Sequence, residues 1–118
     1  MQQVRSTPTA TRTRFNVRID APDGGWSILS VAGDLDLSAA LGLQTFLATQ
    51  EDAGRTTLRL DLSEVTFMDC SCLRVLSDAH VRLSARGGGL EIFEASRSVS
   101  RLLRATGLLR LLKIGDTR

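Results

Sequence analysis

The hydrophobic pattern of the chain changes period several times, and each change marks an element. Over Arg14–Asp20, Phe15, Val17 and Ile19 alternate with polar residues, the period of a strand with one buried face. Ala-Pro-Asp-Gly-Gly at 21–25 is a turn, with Pro22 and Gly24 supplying the backbone constraints. Trp26–Asp36 predicts a second strand, so the first two form a hairpin. Ser38–Gly54 predicts a helix, with Ser38 as N-cap, Leu43, Phe46 and Leu47 on one face, and Gly54 at the stop. Over 56–62, Leu58, Leu60 and Leu62 alternate against Thr57, Arg59 and Asp61 as a third strand. From Ser71 to Arg86, Cys72, Leu76, Ala79 and Leu83 recur at spacings of four, three and four, which predicts a second helix. Three glycines at 87–89 end it, and Leu90–Ala95 is a fourth strand. Ser96–Gly107 predicts a third helix, capped by Ser96 or Ser98 and ended by Gly107. Residues 108–114 are a short closing strand or packed turn. Residues 1–13 are polar and without period, so they are expected to be a disordered basic arm before a single domain over 14–118.

The resulting order, β-β-α-β-α-β-α with a further strand at the end, predicts an α/β fold: a mixed, largely parallel sheet of four to five strands joined by right-handed crossovers. The alternation in the first and third strands predicts a sheet packed by helices mainly on one face, with the other face more open to solvent. A chain of 118 residues fits one modest core.

Charge changes this picture in one respect. The formal net charge is +2, yet residues 1–18 carry four arginines and no acid, so residues 19–118 hold eleven basic against thirteen acidic groups. The folded part is slightly acidic, and five aromatics with no tyrosine offer little for base stacking. Nucleic acid is therefore not an expected partner. No apolar run approaches the roughly 18 residues that would cross a bilayer, so no membrane association is expected. The N-terminal stretch lacks the apolar core of a secretory signal, and two cysteines make no disulfide framework. Reduced thiols and a cytoplasmic location are the expectation.

The candidate chemistry gathers in Phe67–Leu76, where Asp69 precedes Cys70, Ser71 and Cys72. A hydrolase reading fails for want of a base: His80, the one histidine, lies nine residues along the same predicted helix, roughly 13 Å from Ser71. The protein is accordingly not expected to be an enzyme. Cysteines two apart on a helix point roughly 200° apart and cannot close on one metal ion, and no phosphate-binding loop is present. No metal and no cofactor are expected. A thiol in a helix's first turn feels the positive end of the dipole, so Cys70 or Cys72 is a candidate oxidisable sensor; the alternative is that both fill space under the helix start. Arg97, Arg101 and Arg104 share one side of the third helix as a solvated face. A phosphate on Ser71 would sit where unpaired helix-initial N–H groups already tolerate an anion; the alternative is that Ser71 or Asp69 is simply an N-cap.

Read together, Leu58–Leu76 resembles the STAS domain, specifically the bacterial anti-sigma factor antagonists. That family shows an apolar strand, Asp-Leu-Ser, an apolar pair ending in Asp, then Ser-Ser-Gly opening a helix. Asp61, Leu62, Ser63, Val65, Phe67, Met68 and Asp69 match. Gly33, Asp34, Leu35 and Asp36 resemble the family's Gly-Glu-Leu-Asp loop, and Ser96–Ile114 resembles its closing helix and ending. The first serine of the family's pair is Cys70 here, and its glycine is Cys72.

The resemblance implies a STAS-type sheet and a switch. An anti-sigma factor with serine kinase activity would bind the unphosphorylated protein through Asp34, Asp36, Ser38, Asp69, Cys70, Ser71, Cys72 and Arg74, freeing a sigma factor. Phosphorylation of Ser71, the residue matching the family's second serine, would weaken that contact, and a phosphatase acting on phospho-Ser71 would restore it. The alternatives are a STAS interaction module in a signalling or transport assembly that is never phosphorylated, and the thiol sensor. A monomer or weak homodimer is expected.

Overall fold

The computed structural model describes residues 2–4, 15–20, 26–107 and 113–114. Ten elements follow in chain order: β1 (Gln2–Val4), β2 (Phe15–Asp20), β3 (Trp26–Leu35), a 3-10 turn (Leu37–Ala39), α1 (Ala40–Asp52), β4 (Thr57–Met68), α2 (Cys70–Ser84), β5 (Gly89–Ala95), α3 (Arg97–Thr106) and β6 (Lys113–Ile114). The strands form one sheet whose spatial order is also their chain order, β1-β2-β3-β4-β5-β6. β1 to β3 are joined antiparallel, and β3 to β6 run parallel. The sheet has six strands where four to five were expected: β6 falls in the closing segment, and β1 falls within the segment expected to be a disordered arm. The expected turn at 21–25 and most of the closing segment at 108–114 lie outside the described residues.

Sequential order has a geometric result. With the right-handed crossovers that parallel strands take, steps of one strand in the same direction put α1, α2 and α3 on one face of the sheet. The alternation seen in the sequence is the imprint of that one-sidedness. On the helix side Phe15, Val17, Ile19, Leu29, Leu58, Leu60, Leu62, Leu90 and Ile92 are buried, and the matching helix stripe of Cys72, Leu76, Ala79 and Leu83 is wholly buried against them. On the other face Arg59 lies between the rings of Trp26 (5.5 Å) and Phe93 (5.9 Å) and pairs with Glu91 at 3.2 Å. The same face carries an open polar groove of about 410 Å3, bordered by Arg18, Ser30, Asp61, Ser63 and Glu64.

Polar ties fix the helices. Arg82 of α2 grips the nearly buried Glu51 of α1 with two hydrogen bonds, 3.0 and 2.7 Å, the fork geometry that suits a carboxylate. Buried Ser27 of β3 donates to buried Gln50 of α1 at 2.7 Å. Gly88 stands so close to Thr56 that a Cβ there would meet its backbone oxygen at 1.7 Å, which requires glycine between α2 and β5. At the third helix, Ser96 rather than Ser98 is the cap, accepting from Val99 N–H, and Gly107 ends it in the left-handed region at φ 79°. Arg97, Arg101 and Arg104 are exposed, as a solvated face requires.

Candidate functional site

The site lies where β3 and β4 end side by side. The sequence pattern ended the third strand at Leu62; it continues to Met68 because two irregularities carry it on. The first falls between the pairs Ser30↔Asp61 and Ala32↔Glu64, where β4 uses one residue more than β3. Asp61 Oδ1 accepts from both the N–H (3.0 Å) and the hydroxyl (2.7 Å) of Ser63, which holds the extra residue in place. The second falls between Gly33↔Val65 and Asp34↔Phe67, and there the Thr66 hydroxyl donates to Asp34. Asp-Leu-Ser is therefore a bulge-forming unit. It breaks the alternation, so Val65 and Met68 are buried at a spacing of three, which is why a two-residue period missed this part of the strand.

Beyond the second bulge, Asp69 N–H donates to Leu35 O at 2.8 Å and closes the pairing of the two strand ends. The Asp69 side chain then caps α2, its Oδ2 accepting from Ser71 N–H at 2.8 Å. The neighbouring Ser71 hydroxyl, followed by that N–H, holds the Asp69 carboxyl below its ordinary pKa. Of the two candidate caps, Asp69 is the one. Ser38 does not cap α1. It lies inside the 3-10 turn, and its hydroxyl donates to Asp36 Oδ1 at 2.7 Å.

The two thiols separate. Cys70 is exposed at the first position of α2; Cys72 is fully buried. The Cys72 Sγ donates to Leu35 O at 3.4 Å and to Asp36 O at 3.5 Å, a thiol latch between the helix start and the loop after β3. Burial pushes this thiol up to about 11, against a lowering by the Ser71 hydroxyl, and the carboxylates of Asp69 and Asp36 add smaller pushes upward. Two expectations for Cys72 are thereby corrected. It offers no surface to a partner, and it is not an activated thiol, because the cost of burying a thiolate outweighs the helix dipole.

Ser71 is half-buried, and its Oγ is shielded from solvent with no hydrogen-bond partner at bonding geometry. Its backbone position is fixed by the cap, while its hydroxyl acts on Asp69 and Cys72 only electrostatically. His80 is engaged elsewhere: Nδ1 accepts from Leu90 N–H at 3.0 Å, and Nε2 lies 3.5 Å from the Ser84 hydroxyl. The structure therefore brings Asp34, Asp36, Ser38, Asp69, Cys70 and Ser71 to one end of the sheet, with exposed Arg74 one turn into α2. Two exposed leucines beside them, Leu37 (70%) and Leu41 (71%), carry no sequence signal. Among the described residues no cluster of three or more histidine, cysteine or acidic side chains is placed to hold a metal ion.

These features together describe a small one-sided α/β layer with a capped helix start and a carboxylate-bearing loop at its parallel strand ends. Residues 16–118 match the STAS domain model, and the chain belongs to that family. It is 33% identical over 100 residues to the anti-sigma-B factor antagonist of Listeria monocytogenes, covering 85% of this chain and 88% of that protein. The crystal structure of an anti-sigma factor antagonist from Mycobacterium paratuberculosis superposes with a TM-score of 0.78 at 22% identity, over 92% of each chain. The Bacillus cell fate determinant SpoIIAA in its phosphorylated form shares the fold with a TM-score of 0.67 at 17% identity, over 85% of this chain and 91% of that one. The parallel core, the flanking hairpin and the three helices are those of the STAS fold expected from the sequence.

Proposed function

We propose that this protein is an anti-sigma factor antagonist, acting in the cytoplasm, that binds an anti-sigma factor with serine kinase activity and is released from it when Ser71 is phosphorylated. One observation carries the reading: the tie of Asp69 to Leu35, reinforced by the Cys72 latch, holds Ser71 beside the Asp34–Ser38 loop on one rigid surface. The names of the relatives support the antagonist role, and the phosphorylated form of SpoIIAA supports a phosphoryl switch on this fold. The role is one of binding rather than catalysis.

Transfer would move the γ-phosphoryl group of ATP onto Ser71 Oγ, with loss of the hydroxyl proton and departure of ADP. The product carries about −1.5 to −2 charges. The Ser71 hydroxyl first turns out of its shielded position, and the dianion then stands beside Asp69 in a contact shaped for a small neutral group. Its desolvation would oppose binding. About 3 kcal/mol suffices for a change of more than a hundredfold in affinity. A phosphatase would reset the switch.

The test incubates the protein with ATP, magnesium and each anti-sigma kinase of its source organism, followed by intact mass and peptide mapping. One phosphoryl group on Ser71, absent from Ser71→Ala, and weaker binding of the phosphorylated form are expected. Thermal denaturation of Ser71→Ala confirms that the variant folds, so loss of the phosphate reports on the acceptor alone. Equal binding of both forms would defeat the switch and leave a constitutive interaction module.

A further inference from the structure

We infer that Leu37 and Leu41 form the apolar anchor of the contact with the anti-sigma factor, and that they enter an apolar cleft on that partner rimmed by lysine or arginine; this rests on the antagonist reading above. Four large apolar side chains are exposed among the described residues: Leu37 at 70%, Leu41 at 71%, Val81 at 64% and Phe67 at 49%. Val81 stands alone on the outer face of α2, which needs no explanation. The other three flank the site. Leu37 and Leu41 stand one turn apart on the segment that follows Asp36, and Phe67 is paired with Asp34 across β3 and β4.

Their support is rigid. The 3-10 turn that carries Leu37 follows directly from the Leu35 and Asp36 carbonyls held by Cys72, and Ala39 behind it is fully buried. A backbone already held in place has little further entropy to lose on binding, which suits this turn to carry an anchor for a partner.

Charge supplies the nature of the partner. From Asp34 to Gly54 the chain has no lysine or arginine, and from Leu60 to Leu73 it has none either, while Asp34, Asp36, Asp61, Glu64 and Asp69 fall within these segments. Beside the two leucines stand Asp34 and Asp36 on the same loop and Asp69 at the adjoining helix start, with exposed Arg74 one turn further on, and this mostly acidic edge matches a cleft that is apolar inside and basic at its rim.

The experiment measures binding of the full chain to each purified anti-sigma factor of the source organism by calorimetry, for the wild type, Leu37→Ser, Leu41→Ser and Val81→Ser. Thermal denaturation confirms that every variant folds, and light scattering gives the mass of each. Expected are a monomeric wild type that binds one of these factors, a loss of roughly tenfold or more in affinity for either leucine variant, about 1.4 kcal/mol per tenfold, no change for Val81→Ser, and weaker binding as salt rises. Leucine variants that bind as the wild type does would overturn the anchor while leaving the antagonist reading standing. Binding indifferent to salt would overturn the basic rim. A wild-type dimer made monomeric by the leucine substitutions would assign the ridge to a second copy instead. A wild type that binds no anti-sigma factor would overturn the antagonist reading and the anchor with it.

Discussion

The Cys72 thiol donates to the backbone oxygen of Leu35, 37 residues earlier in the chain, and so ties the start of α2 to the end of β3. With Cys72 fully buried, the contact combines packing with a weak hydrogen bond at the point where two parallel strands release the chain. The STAS pattern has glycine here; this chain has replaced an open backbone position with a side chain that fills space and holds the loop.

Restoring the glycine should therefore be costly. Cys72→Gly removes the buried side chain and places glycine in the first turn of a helix, and it should lower stability by about 2–3 kcal/mol. Cys72→Ala should cost about half of that. Urea denaturation of the three proteins gives the ranking, and an unchanged midpoint in Cys72→Gly would show that the latch holds nothing.

The same thiol makes stability depend on alkaline pH. Its folded pKa, about 11, lies above the ordinary value of 9.0. The unfolded chain thus loses this proton first, and stability is fully present below about pH 9 and declines as pH rises through 11. Cys72→Ala should abolish that component of the slope. In native protein near pH 8, iodoacetamide should alkylate exposed Cys70 and leave Cys72 intact, as peptide mapping would show.

At Asp69 the sign reverses. Its folded pKa is depressed, so its contribution is present above the unfolded value of 3.8 and is lost as pH falls through the folded pKa. Asp69→Asn keeps a capping oxygen and should match the wild type near neutrality while losing this acid-side dependence. Asp69→Ala should be less stable at neutral pH as well. Chemical denaturation from neutrality to pH 3 separates the three.

His80 offers a test of the fold apart from the site. Gly89 N–H donates to Thr56 O, so the N–H of the next residue, Leu90, points away from β4, and His80 Nδ1 accepts it. His80→Ala leaves that N–H without an acceptor on a fully buried residue and should cost about 1–3 kcal/mol. Faster hydrogen exchange at Leu90 would locate the effect.

What the sequence disclosed follows from what repeats. Leu58, Leu60 and Leu62 announced a strand, and Cys72, Leu76, Ala79 and Leu83 a helix, because a buried face imposes its period on the chain. Asp61 and Ser63 were visible only as a motif, since a bulge removes the period that would reveal it. Ser71 and the Asp34–Ser38 loop were brought together by resemblance; their shared location is a matter of strand pairing, which no local pattern encodes. The stripe shared with Leu76, Ala79 and Leu83 already turned Cys72 toward the core and Cys70 away from it, but the bond from Cys72 to the end of β3 was hidden, because its partner lies 37 residues away in the chain. Leu37 fell between the predicted strand and helix and Leu41 within the helix, neither marked by the pattern, and only their exposure sets them apart.

Helices confined to one side of a sheet leave the molecule with a single seam between its two layers, and Ser71 stands at the end of that seam. The loop after β3 belongs to one layer and the first turn of α2 to the other. A group attached there would bear on both at once, so a change of charge at one hydroxyl would reach the surface the two segments share and leave the core beneath in place.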